Sequence, residues 1–385
     1  MEKFATVIVK PTLDCDLHCR HCYHPLSDRS ETVLSIETFE RMVRLVKESF
    51  EFSRYMWHGG EPLLVPMSFY KKAFAVQKKY YGKTGCDNTI QTSGQHLNQR
   101  FIEFCRSNRV NLGVSYEGGI DAGMRPDLDS AHVDSMVDYM VKNNHMFLVN
   151  AMIHGGNVDR MEEIYEKFKD KGASLSFSHI INLGCARDNP DLVLDPDIYV
   201  KNSIELFDRW IRDKDVRIPV LPFYPYIMTV IDGLPNISDC PHASCLGKWL
   251  CLYPNGDVYP CGKACPKDYR LGNINEVDSM DDLFESDGFR NILIGSIARR
   301  KKCMGCEIYN SCNGGCSIDA LADGDMESSG GISCRIYKGL MPHIRDTITD
   351  ILENKPDMNQ FNGFLRDAIL GKLINPQIYN ASSFQ

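Results

Sequence analysis

Short hydrophobic, β-branched runs alternate with helical patterns along the first two-thirds of the chain. The runs predict β-strands at Ala5–Lys10, Arg54–Trp57, Asn88–Gln91, Val110–Ser115, Met146–Met152 and Ser174–Ile181. Between them, apolar residues recur at the helical period and predict helices at Ser35–Phe50, Gln99–Ser107, Ser130–Asn143 and Val158–Lys171. Strands that alternate with helices in this way indicate an α/β fold with a parallel sheet and right-handed crossovers.

The pattern changes after a proline-rich aromatic stretch at Arg217–Pro225. Shorter, turn-rich segments follow, and the run Pro-Asn-Gly-Asp that begins at Pro254 predicts a hairpin. Helical periodicity returns at Met341–Leu352 and near Phe361–Leu373. We therefore predict a strand-and-helix domain at 1–235, a cysteine-rich domain at 236–335 and a helical extension at 336–385. A chain of 385 residues suits a barrel domain with such an appendage.

Composition narrows the partners and the location. The net charge of −8 argues against nucleic acid as the main partner, because phosphate binding needs a dense basic patch. No apolar stretch is long enough to span a bilayer and the N-terminus lacks a signal-peptide core, so we expect a cytoplasmic protein without a membrane partner. In such a chain, 16 cysteines indicate metal ligation rather than disulfides.

Three closely spaced cysteines follow the first predicted strand. They are Cys15, Cys19 and Cys22, in a C-x3-C-x2-C pattern. Three thiolates hold three irons of a four-iron cubane and leave the fourth iron open. An open iron can chelate the amine and carboxylate of S-adenosylmethionine (SAM), and one electron from the cluster then splits its sulfonium to give a 5'-deoxyadenosyl radical. The alternative interpretation is three ligands of a zinc knuckle.

A glycine pair follows the second predicted strand, in the run Trp-His-Gly-Gly-Glu-Pro that begins at Trp57. By itself the run is also typical of a strand-to-helix turn. After the cysteine triad, it resembles the SAM-amine motif of the radical SAM superfamily. The resemblance places Gly59, Gly60, Glu61 and Pro62 at the cofactor. It also implies a partial (β/α)6 barrel with its chemistry on the loops that follow the strands.

Weaker matches in the same chain order extend this resemblance. Thr92 and Ser93 lie in a run that resembles the Gln-Thr-Asn-Gly of relatives, with Ser93 in place of Asn. Ser115 resembles the serine that bonds the SAM ribose, and Arg125 lies where relatives often place an arginine against the SAM carboxylate. His21 occupies the position of an aromatic residue that packs against adenine. Each of these residues alone is also typical of a turn or of a solvated side chain.

Eight further cysteines fill the second predicted domain. Their layout resembles the SPASM domain, a C-terminal extension of radical SAM enzymes that act on peptides and proteins. The resemblance implies two auxiliary [4Fe-4S] clusters, the first on Cys245, Cys251, Cys261 and Cys316 and the second on Cys303, Cys306, Cys312 and Cys334. A double zinc ribbon on the same cysteines is the alternative. Cys240 and Cys265 lie near enough in sequence to replace Cys245 or Cys261.

Two reactions fit these resemblances. Anaerobic sulfatase-maturating enzymes form formylglycine. They use as a base an aspartate directly after the third ligand of the first auxiliary cluster, and this chain has Gly262 at that position. They also usually carry glutamine where this chain has His58. The run that begins at Trp57 looks instead like that of maturases that form cyclophane cross-links in ribosomally made peptides. A non-catalytic iron–sulfur electron-transfer protein is a third interpretation, but it would need neither an open iron nor the glycine pair.

We therefore expect a radical SAM oxidoreductase that cross-links side chains of a precursor peptide, with an auxiliary cluster accepting the second electron. Candidate substrate-facing residues are Tyr23, His24, His58 and Glu117, and none of them is assigned as the general base. The expected cofactors are SAM and three [4Fe-4S] clusters. Besides the peptide, we expect a reductant such as flavodoxin or ferredoxin as partner. Because the chain starts at the first strand, a separate leader-binding protein is a further possible partner.

Overall fold

The computed structural model describes residues 2–232, 245–263 and 267–370, and their strands form one ten-stranded sheet. The strands are Glu2–Val9 (β1), Phe50–Trp57 (β2), Cys86–Thr92 (β3), Val110–Ser115 (β4), Phe147–Ile153 (β5), Ser174–His179 (β6), Val220–Leu221 (β7), Trp249–Leu252 (β8), Asp257–Tyr259 (β9) and Gly272–Asn273 (β10). Strands β1 to β7 are parallel and follow one another in sequence order. The sheet is open, with β10 and β7 at its edges. The predicted α/β fold with a partial barrel is confirmed.

Six helices connect the parallel strands and pack into the main hydrophobic core, and seven more follow β7 in the described part of the chain. They are Ile36–Ser49 (α1), Met67–Tyr81 (α2), Gln99–Ser107 (α3), Ser130–Lys142 (α4), Met161–Lys171 (α5), Pro196–Arg212 (α6), Phe223–Asp232 (α7), Met280–Phe284 (α8), Asp287–Cys303 (α9), Tyr309–Cys312 (α10), Ser317–Ala322 (α11), Ile332–Asn354 (α12) and Gly363–Ile369 (α13). The hydroxyl of Ser35 caps α1 by accepting the Thr38 amide, as its position before the helical pattern predicts. None of the described helices is both long and apolar enough to cross a membrane.

Successive residues of β1 face two different buried layers. Val7 and Val9 pack into the main hydrophobic core, where Phe39 and Val43 of α1 also lie. Ile8 points to the opposite face and packs with Met56 of β2 and with residues of the cysteine-rich region. Side chains alternate between faces along a strand, so one strand contributes to both layers. The second face is the interior of the partial barrel, where a cavity opens.

The cysteine-rich region extends the barrel sheet directly. Strand β8 pairs in parallel with β1, with Cys251 opposite Ile8. Strand β9 then returns antiparallel to β8 through the predicted hairpin, in which Gly256 adopts a φ of +90° that favours glycine. Because β1 leads into the first cysteine loop, this pairing places Cys251 beside that loop.

The predicted boundary between residues 335 and 336 falls inside one helix. Helix α12 begins at Ile332 and carries Cys334 in its first turn. Farther along, it buries Leu340, Ile344 and Ile348 and packs against α6 and α7 of the barrel. The last cysteine and the C-terminal extension therefore share a helix, and the domain boundaries stay a prediction. The second predicted helical stretch corresponds to α13, and residues after 370 lie outside the described part.

Candidate active site

A cavity of about 260 Å³ lies at the carboxyl end of the parallel strands, as expected for a barrel of this kind. The three cysteines of the triad line it, together with loops that follow β2 to β6. The cavity continues toward Cys261 of the second domain. It therefore lies between the triad and the first predicted auxiliary set.

Two neighbouring segments hold the backbone of the cysteine loop. Arg29 donates from Nη1 to the Cys15 carbonyl oxygen at 2.7 Å and from Nη2 to the Leu17 carbonyl oxygen. From the loop after β6, the amide of Cys185 donates to the Cys22 carbonyl oxygen at 2.8 Å. Sequence analysis missed Arg29, since its distance from the triad in the chain gives no sign of this contact.

The glycine pair packs against the cysteine loop. The amide of Gly60 donates to the Thr12 carbonyl oxygen at 3.1 Å, and the amide of Glu61 donates to the Asp14 carbonyl oxygen at 2.8 Å. A Cβ atom on Gly60 would lie 2.0 Å from that Asp14 oxygen. The backbone of the cysteine loop, rather than open ligand space, therefore requires glycine here. The SAM ammonium donates hydrogen bonds. The carbonyl oxygens of the Gly59–Gly60 loop, and not its amides, are therefore the backbone groups that can accept from it.

Glu61 joins two of the loops that border the cavity. Its buried carboxylate accepts a hydrogen bond from the Thr92 hydroxyl at 2.7 Å. The Ser93 amide and hydroxyl donate to it at 2.9 and 2.6 Å. All three residues border the cavity, whereas Pro62 does not line it and starts a 3-10 turn. Glu61 thus positions the loops after β2 and β3 relative to each other.

Arg125 borders the cavity and is fixed by Glu117. The guanidinium donates to the two Glu117 oxygens at 2.8 and 3.0 Å, and its Nη1 lies 3.8 Å from the Cys19 sulfur. Burial alone would lower the pKa of Arg125, but the negative charges of Glu117 and Cys19 outweigh it and raise the pKa. Glu117 is fully buried and is not part of the cavity lining. It therefore holds Arg125 and does not face a substrate, contrary to our expectation.

The other catalytic candidates differ in position. Tyr23 and His58 line the cavity, with the tyrosine hydroxyl 3.3 Å from His58 Nδ1. His24 does not line the cavity and contacts Lys10. Burial, reinforced by the charge of Lys10, lowers the pKa of His58 to about 3 and that of His24 to about 4. Both imidazoles are neutral at neutral pH and are weak proton acceptors there, so the ordinary histidine pKa that we expected does not apply.

Two buried polar atoms at the cavity lack a hydrogen-bond partner among the described residues. They are Nδ1 of His21 and Oε1 of Gln91. Gln91 also donates to the hydroxyl of Ser115 at 2.7 Å. Unsatisfied buried polar atoms are costly, and a polar ligand would satisfy them. His21, Gln91 and Ser115 therefore fit a ligand with hydrogen-bonding groups, as the ribose and adenine of SAM have.

The remaining cysteines form two groups. Cys303, Cys306, Cys312 and Cys334 border a second cavity of about 110 Å³. Cys316 also borders it, but the thiols whose charges act on Cys316 are Cys261 and Cys245, as expected for the first set. The charge of Cys261 in turn raises the pKa of Cys251. Cys240 and Cys265 lie outside the described residues, so a replacement by either one stays untested.

Burial favours the protonated form of the triad thiols and of the Cys251 thiol. In the described ranges, no three His, Cys, Asp or Glu side chains form a site for a single metal ion. Burial raises the pKa of Cys15 and of Cys251 to about 12 and that of Cys22 to about 11. Iron must therefore displace protons from these thiols when a cluster assembles.

The part of the cavity near the second domain is mostly apolar. Its wall includes aliphatic and aromatic side chains, among them Ile8, Met56, Phe177, Leu221, Tyr226, Trp249, Ile336 and Tyr337. This wall also contains an ion pair, in which the ammonium of Lys263 contacts the buried carboxylate of Asp319. Burial would raise the pKa of Asp319, but the charges of Lys263 and His179 and the hydrogen bonds from Lys263 and Ser333 together outweigh it and lower that pKa. Sequence analysis missed both residues, although each follows a cysteine of the first set by two or three positions.

Two family models match the chain. The model of the radical SAM superfamily matches residues 9–184. The model of the SPASM iron–sulfur cluster-binding domain matches residues 240–313. The first range contains the cysteine triad, and the second contains six of the eight cysteines of the two auxiliary sets and ends before Cys316. The two matches imply iron–sulfur clusters in both regions.

Relatives and solved structures extend over most of the chain. The cysteine-type anaerobic sulfatase-maturating enzyme of Clostridium perfringens strain 13 is 26% identical over 372 residues, which cover 91% of this chain and 98% of the relative. Native anSMEcpe with bound AdoMet and Kp18Cys peptide has a TM-score of 0.76 at 22% identity, covering 91% of this chain and 99% of the other. Streptococcus suis SuiB bound to precursor peptide SuiA has a TM-score of 0.60 at 17% identity, covering 85% and 75%. These structures share the fold of this chain.

We predict that Gly60→Ala removes the iron of the triad. The added Cβ would lie 2.0 Å from a backbone oxygen of Asp14, so the cysteine loop must shift. Iron content after anaerobic reconstitution should fall by about four atoms per chain, since one cubane is lost. Gly82→Ala is the control, because no atom lies within 4 Å of its Cβ and the cost is limited to backbone strain at its φ of +70°. Full iron content with normal SAM cleavage in Gly60→Ala would contradict this packing argument.

Proposed function

Because the chain belongs to the radical SAM superfamily and carries a SPASM domain, we propose that it oxidises side chains of a peptide or protein substrate. Support comes from the cavity between the triad and Cys261, which is open to the apolar wall described above. The related anSMEcpe and SuiB structures contain bound peptides. A cavity of this size suits a side chain that enters beside the cofactor.

Different residues of the cavity would bind different parts of SAM. Cys15, Cys19 and Cys22 would hold a four-iron cluster whose open iron, with SAM bound, supplies a 5'-deoxyadenosyl radical for hydrogen abstraction. Carbonyl oxygens of the Gly59–Gly60 loop would accept the SAM amine. Arg125, held by Glu117, would pair with the carboxylate of SAM. Ser115 would bond the ribose, and His21 would pack against adenine.

Both further cysteine sets would hold auxiliary [4Fe-4S] clusters. The first set contributes Cys261 to the substrate cavity, so its cluster would lie at the far end of that cavity from the triad. This position suits an acceptor for the second electron of a two-electron oxidation. The second set borders a separate cavity and would pass electrons onward, to or from a reductant such as flavodoxin or ferredoxin.

We propose a cross-link between side chains as the product, and one observation carries this choice. The cavity wall is apolar and aromatic, and the residue after Cys261 is a glycine. A Cβ atom at Gly262 would lie 2.4 Å from the Ile8 side chain, so the wall packs closely where sulfatase maturases carry their basic aspartate. An apolar chamber favours a bulky aliphatic or aromatic side chain over a serine or cysteine.

Formylglycine formation is the second candidate. It is favoured by the similarity to the sulfatase-maturating enzyme over nearly the whole chain. In that case a residue other than Gly262 must accept the proton of the substrate hydroxyl or thiol. Asp319 is a carboxylate at the cavity, but its pairing with Lys263 helps to lower its pKa and so makes it a weaker proton acceptor. The absence of a carboxylate at position 262 makes this reaction the less favoured of the two.

The cluster assignment predicts about twelve iron and twelve sulfide per chain after anaerobic reconstitution. Replacing Cys15, Cys19 and Cys22 together with alanine should leave about eight of each, because both auxiliary clusters remain. Replacing Cys303, Cys306 and Cys312 together should also leave about eight, but should preserve SAM cleavage by dithionite-reduced protein. Iron and sulfide assays with Mössbauer spectra would check these values. Stoichiometric zinc in anaerobically purified protein would contradict the assignment.

The product distinguishes the two candidate reactions. A cross-linked peptide should be lighter by two hydrogens, should not fragment between the joined residues and should not react with a hydrazide probe. Formylglycine made from serine also loses two hydrogens, but its aldehyde reacts with hydrazide. Incubation of SAM and dithionite-reduced protein with the natural substrate, followed by tandem mass spectrometry, would check this. The variant that lacks the three triad cysteines is the control, and a hydrazide-reactive product from wild type would favour formylglycine instead.

A further inference from the structure

Lys10 is a buried cation that the binding of SAM and clusters does not explain. It directly follows β1, and its side chain is fully buried. The Nζ atom lies 2.6 Å from Nε2 of His24 and donates to the Tyr253 hydroxyl at 3.0 Å. It also lies 4.2 Å from the centre of the Tyr253 ring, a cation–π distance. Burying an amine in this way is costly, which indicates a specific role.

The sheet register places Lys10 beside the first auxiliary set. Ile8 pairs with Cys251, and the amide of Lys10 donates to the Leu252 carbonyl oxygen at 2.9 Å. Alternation along the two strands therefore puts the side chains of Lys10, Cys251 and Tyr253 on one face. Lys10 thus lies at the junction between the triad loop, through His24, and the first auxiliary set, through Cys251.

Different cations lie beside the two cysteine sets. Tyr253, whose hydroxyl accepts from Lys10, lies two residues after Cys251 on the same face of the sheet. Lys263, two residues after Cys261, is paired with the Asp319 carboxylate. At the triad, Arg29 donates to the carbonyl oxygens of Cys15 and Leu17, and Nη1 of Arg125 lies 3.8 Å from the Cys19 sulfur.

We propose that Lys10 raises the reduction potential of the first auxiliary cluster and so makes it the acceptor of the second substrate electron. This inference rests on the proposed function. A fixed positive charge in a medium of low dielectric constant favours the cluster state that carries one more electron. Removing that charge should disfavour the reduced state, whatever else surrounds the ammonium.

The electrons of the proposed reaction balance without a further oxidant. One electron from the triad cluster would split SAM into methionine and a 5'-deoxyadenosyl radical, and this radical would take one hydrogen atom from the substrate carbon and leave as 5'-deoxyadenosine. The substrate radical would then form its new bond, lose a proton and give one electron to the first auxiliary cluster. If that electron is passed back to the triad cluster, it replaces the one used to split SAM, so the substrate loses two hydrogens and no net reductant is consumed.

If Lys10 acted only through its contacts, Tyr253→Phe would shift the cluster potential as Lys10→Met does. Its contacts with His24 and Tyr253 hold the cysteine loop to the hairpin between β8 and β9, and their loss would disturb both regions. Tyr253→Phe removes the hydroxyl that accepts from Lys10 but keeps the charge and the ring. Lys10→Met removes the charge with little change in side-chain volume, and Lys10→Gln removes it while keeping a hydrogen-bonding group.

The test is an EPR-monitored redox titration of the anaerobically reconstituted full chain without substrate. In Lys10→Met, the midpoint potential of the first auxiliary cluster should shift to more negative values, and that of the triad cluster, identified by its response to SAM, should not. Tyr253→Phe should leave both potentials in place. Repeating the titration with Cys303 and Cys306 replaced by alanine assigns the shift to the first auxiliary cluster. Because no substrate is present, the result does not depend on which product the enzyme forms.

Four outcomes would overturn the proposal. The first three are an unchanged potential in Lys10→Met with full iron content, an equal shift of all clusters, and the same shift in Tyr253→Phe. If Lys10→Met loses iron, the titration is read in Lys10→Gln. Loss of the auxiliary cluster in both charge-removing variants would show that Lys10 is structural.

Discussion

Strand β8 pairs in parallel with β1, and this pairing joins the two cysteine-bearing regions into one site. Strand β1 ends at the triad loop, whereas β8 carries Cys251 and leads into the hairpin that precedes Cys261. Because register fixes which side chains share a face, the pairing puts Ile8, Lys10 and Cys251 on the side of the cavity. The substrate chamber, the apolar wall and the buried cation all follow from this one contact between domains.

The periodicity of the sequence was sufficient for the first six barrel strands, but not for helices α2 and α6 or for the pairing of β8 with β1. Long runs with clear alternation identified β1 to β6, and the cysteine spacing identified the two regions of metal ligation. Strand β7 spans two residues, too few to show a pattern, and β8 pairs with a strand more than two hundred residues away in the chain. Helix α12 carries both a cysteine and the packing face of the extension, although the sequence predicts a domain boundary inside it. Composition changes do not reveal such shared elements.

Several motif residues contact other residues of the site. The sequence alone does not distinguish such residues from those that contact a ligand. Glu61 accepts hydrogen bonds from the loop after β3, Gly60 makes room for the cysteine loop, and Glu117 holds Arg125. Residues that were not expected, such as Asp319 and Lys263, gain importance only because two distant segments meet at the cavity. Spacing predicts the metal ligands, since their chemistry depends on residue type, whereas the orientation of a side chain depends on tertiary contacts.

The proposed reaction requires a substrate side chain that lies between the triad cluster and the first auxiliary cluster. An anaerobic crystal structure of the reconstituted protein with SAM and its peptide, with iron located by anomalous scattering, tests this most directly. We expect three clusters, with the triad cluster and the Cys261 cluster on opposite sides of the reacting side chain and that side chain against Ile8 and Trp249. A peptide bound outside this chamber, or a single zinc ion in the first auxiliary set, would contradict the account.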